Sequence, residues 1–381
     1  MKTAGIICEY NPFHLGHARQ LRLTRELLGQ ETAIVCVMSG NYVQRGVCAM
    51  WDKFTRARAA VACGADVVLE LPVTRVLQSA EGFARGGVEL LSRFGAEFFC
   101  FGAECGDGAA LMNLAVKMDD PDVSVRLRAA LDRGLPYAAA RQIALEDETG
   151  ILSQPNNILG LEYCRAISVL GSSMQPLVIR RTGNYHDPTP QPEAPSASAV
   201  RSLYPDGVWQ AFVPAEAVPI FSGAPWYDLS FGERAVLARL RSLTPEEWEA
   251  CAHGGEGLWR KAWKAARSQP DLEHIIDAVK SKRYPRTRIQ RLLLCAYLGM
   301  TQDDLAKPIT YARILAVSAQ GRTLLRQAKQ RGKLPLVNPG QLPPDREYYT
   351  LETRASDLFT LFAAEGFPTP CATEQNARII F

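Results

Sequence analysis

Apolar and polar positions alternate along the first half of the chain in two different periods. Short strand-like stretches lie at Ala4–Cys8, Ala33–Met38, Val67–Leu71, Phe98–Phe101 and Gln175–Ile179, with no helical spacing inside them. Between them, apolar residues recur at helical spacing over Gly16–Leu28, Asp52–Cys63, Ala80–Phe94 and Pro155–Leu170. Strand and helix taken in turn are the pattern of βαβ units, which predicts an α/β fold around a parallel sheet. The stretch Asp107–Ala144 is amphipathic throughout and reads as a helical insertion, about 107–150, packed on that sheet. Beyond about Leu203 the alternation stops. Helical periodicity in Phe231–Leu243, Gly257–Ala266, Leu272–Val279 and Arg288–Leu298 predicts a mostly helical second domain, and Pro343-Pro344 sets off a short last helix. The expected division is therefore 1–205 and 206–381.

Ligands of open parallel sheets bind where the strands end, and each chemical motif in this chain follows a predicted strand. The first is Ala4-Gly5-Ile6-Ile7-Cys8-Glu9-Tyr10-Asn11-Pro12-Phe13-His14-Leu15-Gly16-His17. It reads as strand, Pro-containing turn and helix start. The first amides of a helix have no intrahelical partners and sit at its positive end, so they bind phosphate. His14 and His17, three apart, lie on one face of the first turn and can reach the same phosphate chain. Gly16 has no Cβ and lets a flat base or ribose approach the backbone. Such a site suits nucleotidyl transfer, in which charge grows on the α- and β-phosphates. The competing reading is a pair of helix-capping or core histidines.

The second strand leads into Met38-Ser39-Gly40-Asn41-Tyr42-Val43-Gln44-Arg45-Gly46, whose hydroxyl, amides and guanidinium offer donors to an anion. Asp52 is expected to cap the next helix, with Lys53, Arg56 and Arg58 adding positive charge near the same rim. Glu70, at the end of the third strand, either faces the pocket or pairs with a cation. Gly102 ends the fourth strand. Asn156 and Asn157 start a helix, one of them a cap and the other open to a nucleotide. Arg180 and Arg181 follow the fifth strand, and Ser196, Ser198 and Arg201 open another helix after a Pro-rich loop over 188–195.

The string Glu9-Tyr10-Asn11-Pro12-Phe13-His14-Leu15-Gly16-His17 is similar to the HIGH motif of the nucleotidylyltransferase superfamily, and in its full length resembles the bacterial tRNA(Met) cytidine acetate ligases. Met-Ser-Gly and Gln-Arg-Gly of the loop at 38–46 match the same family, and the serines with Arg201 resemble its second phosphate motif, Ser-x-Ser-x-x-Arg. The resemblance implies a Rossmann-like, HUP-type nucleotidylyltransferase sheet domain and an ATP-dependent ligase. Such an enzyme activates acetate as acetyl-adenylate and acetylates the exocyclic amine of the wobble cytidine of elongator tRNA(Met). It also implies ATP contacts from Ile7, Cys8, Glu9, Tyr10, Asn11, Pro12, Phe13, His14, Leu15, Gly16, His17, Ala18, Arg19 and Gln20. Further contacts are implied from Gly102, Asn157 or Asn156, Arg181, Ser196, Ser198 and Arg201. His14 and His17 are then catalytic, Ser39, Gly40, Gln44 and Arg45 line the active site, and Mg²⁺ is expected with the nucleotide. The lysine-rich signature loop of class I synthetases is not visible, which argues against aminoacylation.

Composition changes this picture little. The net charge of +3 does not by itself require nucleic acid, so only the distribution of charge can argue for it. Between Lys280 and Arg291 stand Lys280, Lys282, Arg283, Arg286, Arg288 and Arg291, with Tyr284 and no acid. Cations for phosphates and a ring for an unstacked base suit RNA, although a charge run is more often a solvated face. Arg313, Arg322, Arg326, Lys329, Arg331 and Lys333 form a second basic cluster. The ten cysteines include no C-x-x-C pair. Neither His186 beside Asp187 nor Cys251 with His253 has a second pair at ligand spacing, so no metal site is expected. No leader segment or spanning apolar run is present, which predicts a cytoplasmic protein. Two other readings use the same residues: an adenylyltransferase for a small cofactor precursor, and an ATP-responsive RNA-binding protein without chemistry.

Overall fold

The structure, a computed structural model, describes residues 1–135, 137–147, 150–181, 195–204 and 206–378. His186, Asp187 and most of the Pro-rich loop lie outside the described residues. The strands in chain order are β1 (Thr3–Cys8), β2 (Ala33–Ser39), β3 (Tyr42–Val43), β4 (Val47–Cys48), β5 (Val67–Leu71), β6 (Phe98–Ala103), β7 (Gln175–Arg180), β8 (Ala312–Val317) and β9 (Leu336–Val337). Seven form one sheet in the order β7-β6-β1-β2-β5-β8-β9, and β3 with β4 makes a separate hairpin. From β7 to β5 all neighbours are parallel, as the alternating pattern predicts.

Both faces of this sheet are covered, so its strands are apolar on both sides. Ile6, Cys8, Ile34, Cys36, Met38 and Val68 pack into one core cluster, while Ile7, Val35, Val37, Val67 and Leu69 pack into the other. The predicted helices appear within a residue or two at Leu15–Leu28, Lys53–Ala62, Ala80–Phe94 and Pro155–Val169. Local chemistry ends them where expected. Asp52 accepts from the amides of Phe54 and Thr55, and Gly95 closes the Ala80 helix in the left-handed region at φ 98°. The insertion is helical, at Gly108–Lys117, Pro121–Asp132 and Tyr137–Ala144.

The second half is helical as its periodicity predicts, but it also supplies β8 and β9. β8 pairs antiparallel with β5, so a segment more than two hundred residues downstream completes the sheet of the first half. The larger core cluster runs without a break from Leu90 and Leu91 to Leu292, Leu293 and Phe359. The position 205/206 is thus a boundary of neither the sheet nor the core. Residues 312–317 carry a strand signature, Ala-Arg-Ile-Leu-Ala-Val, that one arginine masks.

The strand order places β1 between β2 and β6, so the chain leaves β1 to one side first and returns on the other side later. The carboxyl ends of β1 and β6 flank this reversal, which is where open α/β sheets bind their ligands.

Candidate active site

At that reversal β1 hands the chain to a turn in which Tyr10 takes φ 44° and the Asn11–Pro12 bond is cis. The helix Leu15–Leu28 follows, with His14 as its N-cap. The His14 imidazole Nδ1 accepts from the Gly16 amide at 3.1 Å, and the His17 Nδ1 accepts from the His14 amide at 3.2 Å. This is a capping box built from two imidazoles in place of the usual hydroxyl and carboxylate. The capping reading of these histidines therefore holds. It also sets their chemistry, because a neutral ring that accepts at Nδ1 carries its proton at Nε2. Both rings are neutral: burial, then Arg181 and Arg201, lowers His14 to about 3. Burial, then His14 and Arg181, takes His17 well below the usual histidine range. The rings stack with centroids 3.7 Å apart and 24° between planes. Each Nε2 lies outside the capping box, so both rings keep a donor that no proton equilibrium near neutrality removes.

Gly16 serves this arrangement differently from the expectation. A Cβ there would stand 2.9 Å from the His14 Cε1, so the glycine makes room for the imidazole itself. The second motif docks on the first turn. Arg201 Nη1 donates to the Asn11 carbonyl at 2.6 Å and Nη2 to the Ser198 hydroxyl at 3.2 Å. Ser196 caps the helix Ala197–Ser202 by accepting from the Ala199 amide. Two segments 190 residues apart are thereby joined at one spot. Arg181 extends over Gly102, where an added Cβ would lie 3.1 Å from its Cγ, whereas Arg180 packs on Gly106. Of the two arginines it is Arg181 whose charge reaches both imidazoles.

The asparagines divide the other way. Asn157 is buried and held on both sides: its Oδ1 accepts from the Cys105 amide at 3.0 Å and its Nδ2 donates to the Ile151 carbonyl at 2.8 Å. Half-buried Asn156 donates to Glu104 Oε1 at 2.6 Å, while Glu104 Oε2 takes the Asn157 amide. Glu104 thus caps this helix from just after β6, and of the two asparagines Asn156 is the one that keeps some exposure.

The loop after β2 folds toward the same place. The Gln44 amide donates to Glu9 Oε1 at 2.7 Å, and Gln44 Nε2 to the Gln78 carbonyl at 3.1 Å. Arg45 and Arg201 both act on the Glu9 carboxyl, although burial is the larger influence and raises its pKa. Arg56 is not a rim charge. It is fully buried and donates to the carbonyls of Trp51, Glu9, Ser39 and Gly40, stapling the histidine motif to the loop. Lys53 is also buried and pairs with both oxygens of Glu70, at 2.7 and 2.8 Å, and with Glu374. Glu70 thus turns inward to a cation, and Gly40 lies directly against it. Sequence reading missed the role of Arg56. No local signal marks it, because its four partners come from three separate turns.

The basic segment is corrected in part. Tyr284 is buried and its hydroxyl donates to the Glu256 carbonyl at 2.6 Å, so it presents no face for a base. Arg291 is buried and donates to the Gln44 carbonyl at 3.4 Å. Arg283 and Arg288 pair with Glu256, and Arg286 with Glu273. Lys280 and Lys282 are exposed. Arg313 of the second cluster is buried in β8, 3.3 Å from Glu374. His253 contacts the Leu77 carbonyl through Nε2 at 2.5 Å, and burial lowers its pKa to about 4. Among the described residues no group of three or more His, Cys, Asp or Glu is placed to hold a metal ion. Among them, too, no helix is long and apolar enough to cross a membrane.

Comparison with known proteins shows the family. The family model described as HIGH Nucleotidyl Transferase matches residues 1–370. The tRNA(Met) cytidine acetate ligase of Syntrophotalea carbinolica is 39% identical over 356 residues, 88% of this chain and 84% of its own length. That of Kosmotoga olearia is 33% identical over 100% of this chain and 99% of its own. Among solved structures, apo Thermotoga maritima TmcAL superposes with a TM-score of 0.91 at 29% identity, covering 100% of this chain and 99% of that one. The same protein bound to alpha-thio ATP gives 0.85 at 29% identity, over 99% and 97%. The histidine capping box, the second motif docked upon it and full-length similarity together establish that this chain belongs to the HIGH-motif nucleotidyltransferases and, within them, to the tRNA(Met) cytidine acetate ligase family.

Proposed function

We propose that this chain acetylates the exocyclic amine of the wobble cytidine of elongator tRNA(Met), using ATP to activate acetate. The observation that carries the reading is the pair of neutral, stacked histidines whose Nδ1 atoms are tied up in the cap and whose Nε2–H groups remain as donors. In the first step an acetate oxygen attacks the α-phosphorus of ATP in line, and the bond to the bridging oxygen of pyrophosphate breaks. Charge grows on the phosphate oxygens, and fixed donors at a helix start stabilise it without reorganising. Arg181 and Arg201 offset the charge that departs with pyrophosphate. In the second step the cytidine amine attacks the acetyl carbon of the acetyl-adenylate, loses a proton, and AMP leaves. No protein nucleophile is required.

Glu9 is already engaged by Gln44 and Glu104 by the two asparagines, and among the described residues no carboxylate cage for Mg²⁺ is present. The ion is expected to arrive on the triphosphate, held by phosphate oxygens and water. The ten free cysteines, most of them buried, suit a reducing cytoplasm. The test is incubation of the purified protein with ATP, acetate and elongator tRNA(Met), followed by pyrophosphate assay and mass spectrometry of the tRNA nucleosides. Pyrophosphate together with an acetylated cytidine is expected. Tight ATP binding with neither product would overturn the assignment.

A further inference from the structure

Most of the arginines at 280–291 are engaged by acids or buried, and the accessible basic face lies elsewhere. The helix Leu258–Ser268 buries Leu258, Ala262, Ala265 and Ala266 against the core. Its other side carries Arg260, Lys261, Lys264 and Arg267, all exposed, and the helix contains no acid. Among the described residues none of these four makes an ion pair, in contrast to Arg283, Arg286 and Arg288. Two of them are held in place by aromatic faces. The Arg260 guanidinium carbon lies 5.1 Å from the centroid of the Trp259 ring, and that of Arg267 lies 4.9 Å from Trp263.

We propose that this face of the Leu258–Ser268 helix is the main docking surface for the phosphate backbone of the tRNA, an inference that rests on the substrate reading given above. An arginine already laid on an indole loses less freedom when its planar fork meets a phosphate. Cations without carboxylate partners give up nothing to bind one, whereas the paired arginines must first exchange partners. The face continues into the basic segment, since Lys261 Nζ sits 5.3 Å above the buried Tyr284 ring. From there the chain reaches the active-site loop directly. Gly46, at φ 80°, lies so close to the helix Arg286–Leu298 that an added Cβ would be 2.5 Å from the Arg291 nitrogen. Arg291 donates to Gln44, which in turn holds Glu9. The RNA surface and the nucleotide site therefore share one structural seam.

The decisive comparison uses the full-length protein, wild type and Arg260→Glu/Lys264→Glu, with Arg283→Ala/Arg286→Ala as the contrasting pair. Affinity for an elongator tRNA(Met) transcript is measured across a salt series, and acetate-dependent ATP–pyrophosphate exchange is measured without RNA. The charge-reversed helix is expected to lose roughly tenfold or more in affinity at low salt. Its dependence of log K on log salt should be shallower by about one unit per lost phosphate contact, with the exchange rate within about twofold of wild type. The contrasting pair should lose less. If exchange also falls, the neutral Arg260→Gln/Lys264→Gln protein must show the same loss of tRNA affinity, or the proposal is wrong. Unchanged affinity and slope in the charge-reversed protein would mean a solvated face or a different partner, while wild-type acetylation of the tRNA stands. A wild-type protein that exchanges pyrophosphate but never binds the tRNA defeats the substrate reading, and this surface with it.

Discussion

On the function proposed above, His14 and His17 do two jobs with different atoms of the same rings: Nδ1 closes the helix and Nε2 is left for the nucleotide. The jobs separate by substitution. His14→Ala removes the cap, at a cost of about 1 kcal/mol in stability, and also removes a transition-state donor, so pyrophosphate exchange should fall about 100-fold or more. His14→Asn keeps a capping oxygen without the distal donor. It should recover the stability but not the rate, and a thermal melt beside an exchange assay reads both. The pH dependence follows from burial. With His14 near 3 when folded, kcat/KM for exchange should show no histidine ionisation between pH 5 and 8. The unfolded chain takes up protons below about 6.5 that the folded rings refuse, so stability is complete above that pH and is lost as pH falls toward 3. Denaturant melts of wild type and His14→Asn should agree near neutrality and diverge as pH falls below about 6.5, with wild type losing the more stability. The histidine pair at the helix start was legible in sequence, because the spacing of two histidines after an apolar strand is local. The tautomer was not legible, since it depends on which ring atom meets which amide.

Five elements meet at a buried charge cluster beneath the active-site loop. Lys53, from the helix Lys53–Ala62, and Arg313, from β8, face Glu70 at the end of β5, Glu352 from the helix Arg346–Phe359, and Glu374 from the short helix Thr373–Asn376. Ser356 donates to Glu374 at 2.6 Å and is joined by Asn41 of the loop at 3.4 Å. Glu352 accepts from the Val73 amide at 2.9 Å, and burial followed by the Glu70 charge pushes its carboxyl up to about 8. A carboxyl protonated in the fold and ionised when unfolded favours the fold most at low pH, and that support disappears as pH rises through about 8. Glu352→Gln keeps the acceptor and removes the titration. The melting temperature of this variant relative to wild type should therefore climb from pH 5 to pH 8, and a flat difference would show that Glu352 is ionised in the fold. From sequence, Lys53 and Arg313 looked like surface charges. A one-letter code for a cation does not say whether water or a carboxylate from three hundred residues away surrounds it.

At the scale of the whole molecule the two halves share one sheet and one core, and they are expected to fold as one unit. Removing everything after residue 205 strips β8 from β5 and leaves the β5 edge unpaired. It also takes Trp209 and Phe221 from the buried ring of Trp51, whose indole donates to the Phe221 carbonyl at 3.2 Å. A fragment 1–205 is expected to be insoluble, or to lack a cooperative melt by circular dichroism. A soluble fragment with a sharp transition would restore the two-domain division. The sequence alone determined the five parallel strands, the helices between them with their caps, and the histidine and serine motifs at strand ends, because period, capping and turn chemistry act over a few residues. Only the tertiary structure decided that Arg181 lies over Gly102 near the two imidazoles while Arg180 packs on Gly106, and that Asn157 is buried in hydrogen bonds while Asn156 keeps some exposure. The same holds for the cations that are buried and for the strands that the last third of the chain returns to the sheet. Those outcomes rest on contacts between distant segments, where burial and charge pairing are set by what the fold brings alongside and not by the neighbours in the chain.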